Sequence, residues 1–329
     1  MIPSEFDQSA RVRGYLRKII QSPKQYCRPF SKASCVRYSQ PYWNSNDEFF
    51  EFTRGRFIVD ETDDLRRREI TCDMNMLVRV AADSVGAAEY ISITKYPDGM
   101  FNKAFLMTME DGREVVAKVP NPNAGIAHST TANWEVSKVL DTPVPHFHAW
   151  NSHAEHHPAG AEFIIMDKVE GVPPSQVWST MPLQQRLNVI IAMTSLQKKW
   201  LSVSFSHYGG LYYARDVQLP AGNHYIKDGT AVKDSVFAIG PATGQDWFDA
   251  SRSGLDIERV PWATLTQYLH AVGTREMKAS RSLKPPKQIA LFCGPKLYQP
   301  DVEKKPTALS LYQKIIDALA PKDTSITNP

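Results

Sequence analysis

The segment KAFLMTMEDGREVVAKV, residues 103–119, decides the predicted fold. Its centre, Glu110-Asp111-Gly112-Arg113, has the composition of a tight hairpin turn, because Asp and Gly readily adopt the backbone angles that such turns need. Apolar residues that favour strands flank the turn on both sides. The sequence therefore predicts two antiparallel strands, Lys103 to Met109 and Glu114 to Val119, with Lys118 on the second.

Three more strands are predicted around this hairpin. Tyr90 to Tyr96 has the alternation of a strand, and Pro97-Asp98-Gly99 after it is strong turn chemistry. Downstream, a polar loop separates the strand candidates His146 to Asn151 and Glu162 to Lys168. We therefore expect a five-stranded antiparallel small lobe over residues 46–170.

Helices are predicted before, within and after this sheet. The apolar spacing from Asp73 to Val85 indicates an amphipathic helix that Gly86 ends, with Met76, Leu77, Val80, Ala81 and Val85 on its apolar face. A short helix, Ala132 to Leu140, ends at Thr142-Pro143-Val144-Pro145. Residues 171–329 are expected to be an incomplete helical large lobe. Its helices are Leu183 to Trp200, expected to be buried because its apolar face is broad, Trp262 to Met277 and Thr307 to Leu319, with an irregular stretch at 222–244.

Composition excludes several classes of protein. The 329 residues hold 38 Lys and Arg against 35 Asp and Glu, a balance that does not suit a protein that coats nucleic acid. The longest apolar runs fall far short of the roughly 20 residues that span a bilayer, so no transmembrane segment is expected. The four cysteines form no CxxC pair and indicate neither a zinc ribbon nor a disulfide framework.

Residues 1–45 differ from the rest of the chain in charge. They contain eight basic residues against Glu5 and Asp7, a net charge of +6. Apolar residues recur with helical spacing from Val12 to Ile20 beside an arginine-rich face. These are the attributes of a mitochondrial presequence, which an import receptor would read; the alternative is a disordered basic tail. We expect localisation to the mitochondrion.

The order of these elements resembles that of a known family. The chain is similar to the aminoglycoside phosphotransferase family, which has a protein-kinase-like fold, and within it to a fungal mitochondrial branch with a basic leader. The segments that carry the resemblance are Tyr96 to Lys103, Asp111 to Pro120, Thr142 to Pro145, Phe163 to Gly171, Gly209 to Tyr213 and Phe237 to Pro241. The resemblance implies an α+β bilobal fold, with ATP and Mg²⁺ as cofactors and phosphoryl transfer to a small-molecule acceptor.

The resemblance also implies which residues meet the nucleotide. Lys118 would lie over the triphosphate, and Glu135 would hold it by an ion pair. The turn at Gly99 would present backbone N–H groups to phosphate. Adenine would be met by backbone groups of a hinge segment that contains Met166, Asp167 and Val169.

The chain departs from the family at the catalytic residues. Phosphotransferases of this fold use a His-x-Asp-x-x-x-x-Asn loop and a later metal-binding aspartate, yet none of the nine histidines is followed two residues later by Asp. Asp246 and Asp249 come before the place where that loop belongs, and we assign them no catalytic role. We therefore expect a chain truncated before the catalytic loop and inactive in transfer. The alternative is a non-catalytic, pseudokinase-like or fragment protein that at most binds nucleotide.

Histidines are concentrated in one hairpin. Five of the nine lie between residues 146 and 157. A zinc or nickel site formed by His146, His148, His156 and His157 is conceivable, but hairpin loops collect polar residues in any case. We assign no metal ligand from the sequence.

Overall fold

The computed structural model describes residues 42–57, 60–125, 142–218, 224–227, 229–249, 251–283 and 303–320. Most of the predicted presequence, and the predicted helix from Ala132 to Leu140 with Glu135, lie outside the described residues. Within the described part, six helices and ten strands give a mixed α+β fold. The helices are α1 (Glu61–Arg66), α2 (Met74–Val85), α3 (Pro174–Val177), α4 (Leu183–Leu201), α5 (Leu265–Ser282) and α6 (Lys304–Leu319).

A five-stranded antiparallel sheet forms the first part of the fold, as the sequence predicts. Its strands are β1 (Tyr90–Lys95), β2 (Asn102–Met109), β3 (Glu114–Pro120), β4 (Phe147–Asn151) and β5 (Phe163–Asp167). They lie in the order β1-β2-β3-β5-β4, so β1 and β4 are the edges. The hairpin turn between β2 and β3 holds Gly112 at φ 83°, a left-handed conformation that glycine adopts without strain.

Helix α2 covers one face of this sheet. It begins where the Asp73 side chain accepts a hydrogen bond from the Met76 N–H at 3.0 Å, and it ends at Gly86 in the left-handed region. The hydrophobic core lies between this helix and the apolar face of β2 and β3. Of the predicted apolar positions, Leu77 and Ala81 are buried, whereas Met76, Val80 and Val85 are only partly buried at the rim.

The prediction of a buried helix at Leu183 to Trp200 is wrong. All residues of α4 are described, and each is exposed or half-buried. Leu187, Ile190 and Ile191 have relative exposures of 43%, 50% and 61%. Helical spacing shows which face a helix is able to bury, but it carries no information about whether another element covers that face. Among the described residues, no helix combines the length and apolar character needed to cross a bilayer.

Residues 203–320 contain strands as well as helices. Short strands form a sheet of β6 (Val203–Phe205), β8 (Tyr225–Lys227) and β9 (Thr230–Val232), and a pair of β7 (Gly210–Tyr213) with β10 (Phe237–Gly240). The stretch at 222–244, expected to be irregular, therefore contributes three strands. Helices α5 and α6 pack together, and Gly273 lies where a side chain would meet Tyr312 at 3.0 Å.

Candidate functional site

The two faces of the five-stranded sheet have different chemistry. Val115, Ala117 and Val119 of β3 are buried towards α2. The intervening residues Val116 and Lys118 point to the opposite face, because successive side chains of a strand alternate. We call this second surface the Lys118 face. It consists of Lys118, Val116 and their cross-strand partners Ala104, Leu106, Ile164 and Met166.

Lys118 lines a small cavity at one end of this face. The cavity has a volume of about 130 Å³, and its other walls include Phe101, Asn102, Asn151 and Glu162. Burial lowers the pKa of Lys118, because the charged ammonium loses contact with water. A cation that is partly desolvated in this way gains more from a bound anion than a lysine in open solvent would.

The turn at Gly99 lies between β1 and β2, next to this cavity. The Gly99 N–H donates to Asn102 O at 3.0 Å, so it closes the turn itself. A Cβ at Gly99 would lie 3.0 Å from the same carbonyl oxygen, which explains why the tight turn holds a glycine. The cavity-lining residues Phe101 and Asn102 are positioned by this turn.

A buried ionic network that no motif or periodicity of the sequence predicts anchors the turn. The Asp98 carboxylate accepts hydrogen bonds from the Thr53 N–H at 2.7 Å and from Lys103 at 3.1 Å, and Lys95 Nζ lies 2.9 Å away. Burial opposes ionisation of Asp98, but these donors outweigh it and the pKa is lowered. One signal was available: Lys103 shares a strand face with Phe105, Met107 and Met109, where an apolar residue is expected.

The predicted hinge residues lie at the end of β5. Met166 belongs to the Lys118 face, opposite Val116. The Asp167 N–H donates to His146 O at 2.9 Å, and the Asp167 carboxylate lies 2.6 Å from His148 Nε2. Val169 follows the strand and is exposed. The structure thus places Lys118 and Met166 on one face of the sheet, whereas Asp167 contacts His146 and His148 at the start of the neighbouring strand.

The aspartates that precede the expected catalytic loop have structural partners. Asp246 pairs with Arg275, whose guanidinium lies 4.6 Å from the centre of the Trp247 ring. Burial raises the pKa of Asp249. Both residues belong to the packed segment around Trp247 and Trp262, whose rings stack at 5.0 Å.

The four histidines weighed as one metal site do not come together. His157 packs against Phe163 at 5.0 Å between ring centres, and its Nδ1 accepts from the Ala159 N–H. His156 groups with His153 and Glu155 in a short 3-10 turn. His146 and His148 instead converge with Asp167, and one ligand atom from each lies within 4.8 Å of the others.

Comparison with known proteins gives partial similarity. No family model matches the chain. Two proteins of Aspergillus fumigatus strains, both called subtelomeric hrmA-associated cluster proteins, are 34% identical over 175 residues, which is 51% of this chain. Altered inheritance of mitochondria protein 9, mitochondrial, of Clavispora lusitaniae is 21% identical over 318 residues and 79% of this chain. No solved structure matches.

The aligned regions are parts of longer proteins. They cover 32% of the Aspergillus relatives and 52% of the Clavispora relative. The similarity to the mitochondrial protein is distant, and it agrees with the branch that the sequence motifs indicate. No comparison places the chain in the phosphotransferase family.

Proposed function

We propose that this chain binds the phosphates of ATP at the Lys118 face, as the nucleotide-binding part of a kinase-like protein of the aminoglycoside phosphotransferase family. The position of Lys118 carries the proposal. A lysine on the third strand of an antiparallel sheet, beside the turn that joins the first two strands, is the arrangement that kinases use to hold nucleotide phosphates. Here Lys118 lies on β3 and lines a cavity with Phe101 and Asn102, which follow the β1–β2 turn.

The size and lining of the cavity indicate which part of the nucleotide would bind in it. A volume of about 130 Å³ is smaller than the roughly 300 Å³ or more of pockets that enclose whole ligands, but it suits a phosphate group. Glu162 also lines the cavity and offers a carboxylate of the kind that accompanies phosphate oxygens around Mg²⁺. The phosphates would therefore lie at this end, and the nucleoside would extend along the sheet.

The register of β3 and β5 gives the direction in which the nucleoside extends. Val116 and Met166 are cross-strand partners, as are Lys118 and Ile164. The two pairs are separated by two residues along the strands, a distance of about 6.7 Å. They supply apolar surface for adenine, and the exposed chain at Val169 lies beyond them. The Asp167 N–H already donates to His146 O, so this N–H is not the group that would donate a hydrogen bond to adenine.

Phosphoryl transfer is not part of the proposed activity of this chain. Among its 329 residues, no His-x-Asp-x-x-x-x-Asn sequence supplies the aspartate that orients an acceptor and the asparagine that holds metal. Nucleotide binding without transfer is therefore the function we assign. ATP-dependent phosphorylation of a small molecule is the second candidate, and the family resemblance alone favours it.

A mitochondrial location is the second part of the proposal. It is supported by the basic, periodic leader from Arg11 to Ile20 and by the mitochondrial protein of Clavispora lusitaniae, to which the chain is distantly similar.

The binding proposal is tested by titrating the full chain with ATP and Mg²⁺ and following backbone NMR shifts. We expect a dissociation constant on the order of 1 mM or weaker, equivalent to about 4 kcal/mol of binding free energy at most, because few cations surround the phosphates. Inorganic tripolyphosphate should shift the same residues around Lys118. Lys118→Met should abolish these shifts, whereas Lys278→Met, a change of the same kind on α5, should leave them unchanged. ATP shifts confined to another region, or shifts that persist in Lys118→Met, would refute the site.

A further inference from the structure

The end of the β4–β5 pair brings two imidazoles and one carboxylate together. The ligand atoms of His146, His148 and Asp167 lie within 4.8 Å of one another. The two histidine rings are 4.9 Å apart between centres, and His148 Nε2 lies 2.6 Å from Asp167 Oδ1. We propose that these three residues bind a late first-row divalent cation, of which Zn²⁺ is the best fit. This site uses none of the side chains of the Lys118 face.

The backbone explains why three residues from two strands converge here. The hydrogen bond from the Asp167 N–H to His146 O, at 2.9 Å, sets these residues opposite each other at the strand ends. Between Phe147 and Ala149 the register shifts, so that β4 advances two residues while β5 advances one. His148 is the extra residue of this bulge. A bulge redirects the side chain of the inserted residue, and here His148 is aimed at Asp167.

The distances suit a metal after small side-chain rotations. Zinc binds nitrogen and oxygen ligands at about 2.0–2.2 Å, so two ligand atoms in a tetrahedral site lie about 3.4 Å apart. The His148–Asp167 pair at 2.6 Å must open slightly, and any pair spaced near the 4.8 Å limit of the cluster must move closer together. Both changes are local, because β4 is an edge strand and the Asp167 side chain is 52% exposed.

The donor set selects the class of ion. Two imidazole nitrogens and one carboxylate oxygen favour Zn²⁺, Ni²⁺ or Cu²⁺, whereas Mg²⁺ and Ca²⁺ require oxygen ligands. Three protein ligands leave a fourth position for water at the exposed edge of the sheet. The bound ion would link β4 to β5 at the end where their ladder stops.

A second histidine cluster provides the competing possibility. His153, Glu155 and His156 also place ligand atoms within 4.8 Å of one another. They belong to a single short turn, and the side chain of His156 is 78% exposed, so ordering it around an ion loses more conformational entropy. The cluster across β4 and β5 is therefore the better organised of the two.

The test is calorimetric titration of the untagged full chain with ZnCl₂. We expect one site per chain, with affinity reduced at least about tenfold in His148→Ala and in Asp167→Asn. His156→Ala should change the affinity less than twofold. His270→Ala is a matched control, because His270 also contacts a carboxylate, Asp317, at 3.1 Å but has no third ligand among the described residues.

A spectroscopic measurement separates loss of a ligand from loss of the fold. Co²⁺ in place of Zn²⁺ should give visible absorption bands that vanish in His148→Ala, while the far-UV circular dichroism and the Tm in EDTA stay unchanged. Mg²⁺ should not compete, and Lys118→Met should still bind Zn²⁺. The proposal is overturned if no zinc binds, if His156→Ala removes the site, or if His148→Ala leaves the affinity as it is.

Discussion

Asp98 and Lys103 form an ion pair inside the protein, with 3.1 Å between Lys103 Nζ and Asp98 Oδ1 and no exposed surface on either side chain. Lys103 also donates to Glu51 O at 2.9 Å, and Asp98 accepts from Thr53. The pair thus ties the turn between β1 and β2 to the segment that precedes the first helix. Removing one partner leaves the other charge buried without compensation.

Asp98→Asn should therefore destabilise the protein strongly. We expect a loss of about 3–5 kcal/mol in the free energy of unfolding, measured by urea denaturation. Arg56→Gln is the control, because Arg56 pairs with Glu61 at 2.6 Å on the surface, with 85% of its own side chain exposed, and should show no measurable loss. Equal effects of the two variants would contradict a structural role for the buried pair.

Glu276 gives the protein a specific acid sensitivity. Burial opposes its charge, but hydrogen bonds from Arg252 and Lys305 outweigh burial and lower its pKa from 4.5 to about 2. A carboxylate whose pKa is lower in the folded than in the unfolded state adds stability above its unfolded pKa, and this stability is lost as the pH falls towards the folded value. Stability should thus fall between pH 4.5 and about 2.

Glu276→Gln should remove this part of the acid dependence. The wild-type protein should lose on the order of 3 kcal/mol or less from this group over that interval, and the variant should have the flatter curve of unfolding free energy against pH. Glu258→Gln, a change of the same kind in the segment that precedes α5, should keep the wild-type slope. A variant curve parallel to that of the wild type would show that the Arg252–Glu276–Lys305 contacts do not stabilise the fold.

Two leucines on different helices test the distinction between the covered α2 and the exposed α4. Leu77 of α2 has 0% exposure, whereas Leu187 of α4 has 43%. Leu77→Ala should cost about 2–5 kcal/mol, because it leaves a cavity in the core. Leu187→Ala should change stability by less than about 0.5 kcal/mol. A large loss in Leu187→Ala, measured under the same conditions, would mean that α4 is covered after all.

Turn residues and strand alternation in the sequence predict the sheet, but they do not predict which distant side chains contact one another. The Asp111-Gly112 turn and the alternation on either side predict β2 and β3 because turn geometry and strand period act within a few residues. The role of Lys103 depends on Asp98 and Glu51, and the exposure of α4 depends on what packs against it. The direction of the His148 side chain depends on a β-bulge. A bulge arises from a one-residue difference in the pairing of two strands, and the periodicity of a single strand does not predict it.

For the candidate site, the sequence likewise predicts the strand that holds Lys118 but not the residues around it. The position of Lys118 on β3 follows from the hairpin pattern, whereas its place in a cavity with Glu162 requires the pairing of β3 with β5, two segments more than 40 residues apart. The neighbourhood of Asp167 required the same pairing with β4. Long-range register is therefore the information that the sequence patterns lacked.

The leader is expected to direct import into mitochondria. A fluorescent protein fused behind residues 1–45 should enter mitochondria, because an arginine-rich amphipathic helix is recognised by the import receptor and driven by the membrane potential. Changing Arg11, Arg13 and Arg17 to Glu should prevent entry. The same charge change at Lys24, Arg28 and Arg37, outside the periodic segment, should have the smaller effect. A diffuse signal from the unchanged leader would exclude this localisation signal.

The chain of 329 residues is expected to catalyse no phosphoryl transfer. Phosphotransferases of the kinase-like fold contribute almost only positioning and charge stabilisation, so we expect a chain without the orienting aspartate and its asparagine partner not to align an acceptor with the γ-phosphate. Incubation with labelled ATP, Mg²⁺ and aminoglycosides or simple alcohols should give no product above that of Lys118→Met. Turnover that disappears in Lys118→Met would contradict this expectation. It would direct attention to Asp246 and Asp249. Asp249→Asn would then be the decisive variant, because Asp246 is held by Arg275, whereas burial raises the pKa of Asp249 and a carboxylate with a raised pKa is a stronger base.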